Sequence, residues 1–513
     1  MKKIVLILAL VAFVGTSCSE KLDVKPPSYI TDDGLQELLQ KDPDAALSAM
    51  IGNLTKRLYD NISLGGGNDV RYNSVTSFGL AQNVKGNDMV HIGGGYFGDE
   101  YKLIRYREET SAYSENFWQQ YYKWIYDANV ILTYITDDML ANEKTGALVK
   151  GYKAQAMAIR AAAYMYLMWI YADDPIRGTA KVGVPMYAPQ EDKSLIWEPV
   201  DRAATDVVWN QVVTDLETAA GYMADRKLDP KAKINDVDLN VINLWLCRAA
   251  ITTGQWDKVI KAASAIYESM GGWKLMTEEQ YVGGIDKLNG FVKKENNTEA
   301  LFTVDYSQTY HSGTFVGTSF TGWMNTLGGG YGGQGGSYHA IDSRLYDQIG
   351  SNDYRKKNFL DADFEYTYTG TGTVESTPVL LRKYYNIKFG SNASVAEKVA
   401  NYLGDETIMR TSEALLLKAE AEQRSGNDQA AQSTLQELAS ARGAAAVTES
   451  GDALLKRIQL EWRIEMWGEN GWEYYNNKRW GIGVDRSGSA NHVEFPTMSY
   501  GNGYTWQIGR AHV

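Results

Sequence analysis

Long runs in which apolar and aromatic residues return every three or four positions constrain this chain more than any other feature. That spacing lays one face of an α-helix against a core. From Phe117 to Ile135 the residues Trp118, Tyr121, Tyr122, Ile125, Tyr126 and Val130 keep it. Gly151 to Tyr171 repeats it in an Ala-rich segment that stops at Asp174 and Pro175, and Val200 to Met223 is a third such run. The helical pattern begins near Asp32, and Leu454 to Trp467 is its last long stretch. Two helix–turn–helix units carry Gly at the break: Val241–Thr252 then Val259–Met270 around Gly254, and Thr411–Arg424 then Ala430–Ala441 around Gly426. Small residues such as Ala431 early in the second helix let the pair approach closely, which is the logic of tetratricopeptide hairpins, although the period is irregular and Val259 is bulky. The expected fold is mainly α, a tetratricopeptide-like helical hairpin scaffold.

Between residues 276 and 401 the composition shifts to Gly, Tyr, Thr and Asn, with short β-type runs at Ala300–Val304 and Val379–Tyr385. A smaller Gly/Tyr-rich patch covers residues 65–101. Irregular stretches this long are functional or disordered, and aromatic content favours order. The expected organisation of the body, 32–513, is a helical part at 32–275 containing the loop 65–101, an irregular ligand-facing cap at 276–401, and a helical part at 402–513.

The N-terminus reads as an address. Lys2 and Lys3 precede an apolar run from Ile4 to Val14, too short to span a bilayer of about 30 Å but suited to a signal peptide over residues 1–17. Cys18 then follows Gly15, Thr16 and Ser17, the position of the acylated residue in a bacterial lipoprotein, although a larger aliphatic residue is commoner where Gly15 stands. Residues 18–31, with Pro26 and Pro27, read as a lipidated tether. The other cysteine, Cys247, falls in an apolar helical stretch and reads as a small buried hydrophobe. With 51 Lys and Arg against 63 Asp and Glu, the formal charge is −12, which argues against nucleic-acid binding by phosphate neutralisation.

Motifs of catalysis are absent or lack context. Gly330 to Gly335 satisfies GxGxxG but has neither a preceding strand nor a following helix, as a dinucleotide fold requires. Asp236, Asp238 and Asn240 begin like a calcium loop, without the Gly and Glu that complete an EF-hand. No cofactor is implied, and a structural calcium is not indicated. Glu461 and Glu465 share a helix face and imitate a catalytic carboxylate pair, but Arg457 and Arg463 beside them favour ion pairing.

What remains is stacking. The chain has 34 Tyr and 14 Trp but only 12 Phe, and Tyr and Trp join a flat apolar face to a hydrogen-bonding edge. Tyr72, Tyr96, Phe97, Tyr310, Trp323, Tyr331 and Tyr338 alternate with Gly, Asn, Ser and Thr. A sugar ring offers an apolar C–H face inside a rim of hydroxyls, which fits such plates. Covering roughly 50 Å² of that face yields about 1.2 kcal/mol, so several plates are needed.

Nearly end to end, the chain resembles the SusD/RagB family of nutrient-binding outer-membrane lipoproteins from Bacteroidetes. The resemblance is carried by Cys18 to Val24 before Pro26 and Pro27, by Ala128 and Asn129 after an aromatic helix, and by AQAMAIRAAAYMYLMWIYADDP from Ala154 to Pro175. It continues through Arg410, Glu413 and Glu420 to Gly426, and through Glu461, Arg463, Glu465, Glu469 and Arg479 to Gly481. Between Gly471 and Arg479 the chain departs from the family pattern by one extra residue. The resemblance implies a tetratricopeptide frame, exposure at the cell surface, and a partner, a SusC-like TonB-dependent transporter, over which the protein acts as a lid that captures glycan. It implies no catalytic residues, and it places ligand contacts on the loops Tyr72 to Phe97 and Tyr310 to Tyr338. A peptide-binding lid, a surface glycosidase and a purely structural partner of the transporter are the alternatives.

Overall fold

The computed structural model describes residues 32–58, 75–93, 96–104, 108, 111–189, 198–226, 234–305, 320–328, 330–333, 335–368, 378–390, 404–498 and 504–506. The signal, Cys18 and the tether lie outside the described residues. The chain divides into compact units at 1–48 and 49–513. The first holds helix α1 (Asp32–Lys41) and the start of α2 (Pro43–Lys56). Asp42 accepts a bond from the Ala45 amide through Oδ1, and Pro43 opens the helix where no backbone N–H is needed.

The second unit is built on helices. After α3 (Val75–Asn83) and the single turn α4 (Gly98–Tyr101) come α5 (Ala112–Tyr134), α6 (Asp137–Ala141), α7 (Gly146–Tyr171), α8 (Thr205–Arg226), α9 (Leu239–Thr252) and α10 (Trp256–Met270). Residues 276–401 contribute α11 (Glu278–Tyr281), α12 (Phe320–Met324) and α13 (Ser343–Gln348). The chain returns to the frame with α14 (Thr411–Arg424), α15 (Asp428–Arg442), α16 (Gly451–Glu465) and α17 (Trp472–Trp480). Neighbours in sequence pack as hairpins, α7 on α8, α9 on α10 and α14 on α15, and α10 packs directly on α14 although residues 271–410 separate them in sequence. The fold is mainly helical, as expected. Gly254 (φ 75°) and Gly426 (φ 84°) turn the hairpins in the left-handed region, where a Cβ is strained.

Residues that carried the resemblance act as locks between helices. In α7, a run of fully buried Ala from Ala154 to Ala163 lets α5 and α8 close in. Arg160 then donates through Nε to Asp215 of α8 (3.0 Å) and through Nη1 to Asn129 of α5 (2.9 Å). Arg248 of α9 forms a fork with Glu413 of α14, Nε to Oε1 at 2.7 Å and Nη2 to Oε2 at 2.8 Å. Arg410 reaches Glu299 (2.8 Å), Glu465 (2.6 Å) and Glu469 (2.8 Å), and Arg442 reaches both oxygens of Glu465. Arg355 closes the network on Glu461 (2.7 Å) and Glu465 (3.2 Å). Burial alone would raise the Glu465 carboxyl, but Arg442 and Arg410 hold it well below its ordinary value. The Glu461/Glu465 pair is therefore a buried ion-pair hub. Arg457 pairs with Glu461 as expected, whereas Arg463 turns away to Asp88 (Nε to Oδ2, 2.9 Å).

Among the described residues, eight short strands form four antiparallel pairs: β1 (Met89–Ile92), β2 (Val182–Pro185), β3 (Arg202–Ala204), β4 (Ala300–Val304), β5 (Tyr338–Ile341), β6 (Phe364–Tyr366), β7 (Val379–Leu381) and β8 (Glu406–Arg410). They join as β1–β5, β2–β3, β4–β8 and β6–β7. Three boundaries differ from expectation. The run from Val200 begins as β3, whose Arg202 donates to the Gly183 carbonyl at 2.7 Å, so the helix starts only at Thr205. The strand from Val379 stops at Leu381 because Tyr384 takes φ 77°. Helix α16 ends at Glu465, positive φ at Gly468, Asn470 and Gly471 reverses the chain, and α17 follows as a further helix.

Candidate functional site

The β1–β5 ribbon joins the early aromatic loop to the cap. Val90 pairs with Ala340, His91 with His339, and Ile92 with Tyr338, so the strand leading to Tyr96 and the strand following Tyr331 end side by side. At that end, Tyr331 lies flat on Trp323, with ring centroids 4.5 Å apart and planes at 16°. Tyr96 sets its edge against both rings, at 5.1 Å from Trp323 and 5.2 Å from Tyr331. Phe97 meets the edge of Trp323 at 5.1 Å. These geometries are the favoured stacked and T-shaped arrangements, each worth about 0.5–1.5 kcal/mol beyond burial.

The glycine tract makes this stack possible. It wraps back on α12: the Gly332 amide donates to the Gly322 carbonyl (2.9 Å), and the Gly335 amide to the Gly330 carbonyl (3.0 Å). A Cβ on Gly332 would sit 1.9 Å from the Trp323 carbonyl oxygen, and one on Gly330 2.5 Å from that of Gly322. The GxGxxG match thus serves close backbone approach beneath Tyr331, with no βαβ unit around it among the described residues.

The expected site residues take different roles. Tyr96 is 36% exposed, and Tyr331 and Tyr338 are half-buried. Phe97 and Trp323, expected as loop plates, are fully buried. They lie behind the outer rings because α12 and the glycine tract cover them. Tyr338 stacks on the buried Tyr385 (4.9 Å, 27°) and its hydroxyl pairs with that of Tyr368 (3.3 Å). Tyr72 and Tyr310 lie outside the described residues. Tyr385, Tyr368 and the histidines were missed, since their relation to the site exists only through strand pairing.

The local electrostatics are those of neutral groups. Burial, then the adjacent Tyr96 phenol, pushes the Tyr331 hydroxyl up. Burial likewise takes the Tyr385 hydroxyl up to about 12. His91 and His339 face each other across the ribbon with Nδ1 and Nε2 3.4 Å apart. Burial pushes His91 down to about 4, and burial followed by the His91 charge pushes His339 down as well. An array of uncharged rings with phenol edges can stack on an apolar face and exchange hydrogen bonds.

Other motifs resolve as structural parts. Asp238 caps α9 by accepting from the Val241 amide at 2.9 Å, and Asp236 accepts from Gln155 at 2.6 Å. No group of three or more His, Cys, Asp or Glu among the described residues is placed to hold a metal ion. Cys247 is a buried free cysteine whose thiol is pushed up by burial. No helix among the described residues is long and apolar enough to cross a membrane.

The chain resembles known proteins throughout. Residues 37–236 match the SusD-like family model described as starch-binding and associating with the outer membrane, and residues 254–510 match the SusD family model. No curated protein matches significantly. A SusD-like carbohydrate binding protein from Bacteroides vulgatus superposes with a TM-score of 0.73 at 21% identity, covering 91% of this chain and 95% of the other. A SusD superfamily protein from Bacteroides thetaiotaomicron gives 0.69 at 17%, over 91% and 97%. Surface glycan-binding protein A from Bacteroides fluxus gives 0.62 at 16%, over 91% and 95%. With one family model covering half of its length and a fold that superposes on solved members over nine-tenths of it, the chain belongs to the SusD family.

Proposed function

We propose that this protein is a non-catalytic glycan-binding lipoprotein of the cell surface. It is anchored in the outer membrane through Cys18, captures polysaccharide or oligosaccharide, and delivers it to a SusC-like TonB-dependent transporter. The observation that carries this reading is the Tyr96–Trp323–Tyr331 cluster, a rigid stacked pair with a partly exposed phenol edge beside it. Family membership supports it, as do the names of the Bacteroides structures that share the fold. Stacking a sugar on Tyr331 takes little reorganisation because Trp323 and the glycine tract already hold the ring in place.

The test is affinity electrophoresis and calorimetry on the chain from Ser19 onward, against plant, host and microbial polysaccharides and a set of oligopeptides. The expected result is binding to one glycan class, weakened about tenfold or more by Tyr331→Ala with the fold retained. Binding to peptides alone would overturn the glycan reading. Hydrolysis of a bound glycan, abolished by one Asp or Glu substitution, would overturn the non-catalytic one.

A further inference from the structure

A second concavity lies between α16, α13 and the loop 482–485, with a volume of about 720 Å³. Its chemistry differs from that of the aromatic cluster, because among the described residues no Tyr, Trp or Phe lines it. Four cations do, Arg344, Lys456, Arg457 and Arg463, against the carboxylates Glu449 and Asp485. Three of these cations already pair with carboxylates, Arg344 with Asp342, Arg457 with Glu449 and Glu461, and Arg463 with Asp88.

The walls are pinned from inside. Arg344 donates through Nη1 to the carbonyls of Asp485 (3.1 Å) and Ser487 (2.8 Å). Asn87 holds the same loop, donating to the Gly483 carbonyl (3.2 Å) and accepting from the Asp485 amide (2.7 Å). On the opposite wall, Arg457 is tied to Glu461 and to the Ala445 carbonyl. Two cationic donors remain over after this bonding. Arg463 uses Nε and Nη2 on Asp88, makes no bond through Nη1 among the described residues, and is 30% exposed. Lys456 is exposed about two turns, roughly 10.5 Å, before it on the same face of α16, with the aliphatic Leu460 between them, and makes no ion pair among the described residues. Gln348 and Gln459 add amide groups, and Ile482 adds an exposed apolar surface.

We propose that this groove is a second ligand site, for an acidic sugar residue such as a uronate. Its carboxylate bridges Arg463 Nη1 and Lys456, its hydroxyls meet the glutamine amides, and its C–H face lies against Leu460 or Ile482. Charge-assisted bonds to a fixed guanidinium are among the stronger polar contacts, and the pinned walls lower the ordering cost. A saccharide suits the lining better than an extended peptide, because two helices and a loop offer no strand edge for backbone pairing. The site stands apart from the aromatic cluster and does not rest on it.

The test is calorimetry of the chain from Ser19 onward with trigalacturonate and with its methyl ester, at low and at physiological salt. The free acid binds, the ester binds at least tenfold more weakly, and added salt weakens the acid. Lys456→Glu, an exposed substitution checked by its unchanged melting, reduces acid affinity about tenfold or more. Absence of acid binding at millimolar concentration, or equal binding of acid and ester, would overturn the proposal. Displacement by hexaglutamate at matching concentration would make the site a general carboxylate or peptide groove and overturn the sugar assignment. Loss of acid binding in Tyr331→Ala with retention in Lys456→Glu would place the acid at the aromatic cluster and do the same.

Discussion

Acid should loosen the ribbon that assembles the aromatic site, and the histidine pair sets the size of the effect. His91 and His339 are cross-strand partners, both buried, and His91 Nε2 has no hydrogen-bond partner among the described residues. An unfolded His titrates near 6.5, whereas burial holds folded His91 down to about 4. Between those values the unfolded chain binds more protons than the folded one, so stability falls as pH falls through 6.5 and levels off below about 4. For His91 alone the loss from pH 7 to pH 4 is about 3 kcal/mol, and His339 shifts in the same direction. Urea denaturation across that range would be compared with the double variant His91→Leu/His339→Leu, which fills the pair with apolar groups. Carboxylate effects and the buried His492, itself held down to about 4, occur in both chains and cancel. The wild type should lose at least about 3 kcal/mol more than the variant, while hydrogen exchange quickens in peptides covering β1 and β5. Parallel loss of stability in the two chains would refute the reasoning.

Trp323→Ala removes a fully buried ring and should cost about 3–5 kcal/mol, read as a lower melting temperature. Tyr96→Ala, which removes two edge contacts at a partly exposed ring, should cost about 1–3 kcal/mol, less than Trp323→Ala, while weakening glycan binding. Glu465→Gln strips one carboxylate from beneath Arg410, Arg442 and Arg355 and should cost about 3–5 kcal/mol in chemical denaturation; a cost under about 1 kcal/mol would show that the network is dispensable. Gly332→Ala forces the tract away from the Trp323 carbonyl, so affinity should fall with the frame's helical circular dichroism intact.

The helical frame was legible in the sequence because its information is local. A spacing of three and four, a glycine at the hairpin break and an Ala-rich stretch identify a helix and its buried face without knowledge of the partner. Thus Thr411–Arg424 appears as expected, and α5, α7, α9 and α10 differ only at their ends. Short elements were not legible: α12 and α17 are fixed by the glycine tract wrapped on one and by the Gly468–Gly471 reversal before the other. The same limit applied to Arg463, which the helix pattern placed beside Glu461 and Glu465 and the fold directs to Asp88.

A mainly helical chain and a Gly/Tyr-rich stretch carrying candidate stacking residues can be read from the chain alone, since composition and periodicity are local properties. Only the tertiary structure decided which rings meet. Tyr96 and Tyr331 lie in separate loops and are neighbours because β1 pairs with β5. It also decided which rings face outward, burying Trp323 and Phe97 while leaving Tyr96 and Tyr331 partly open. Exposure depends on what the rest of the chain places against a side chain, and no local pattern around a tyrosine in a glycine-rich loop encodes that.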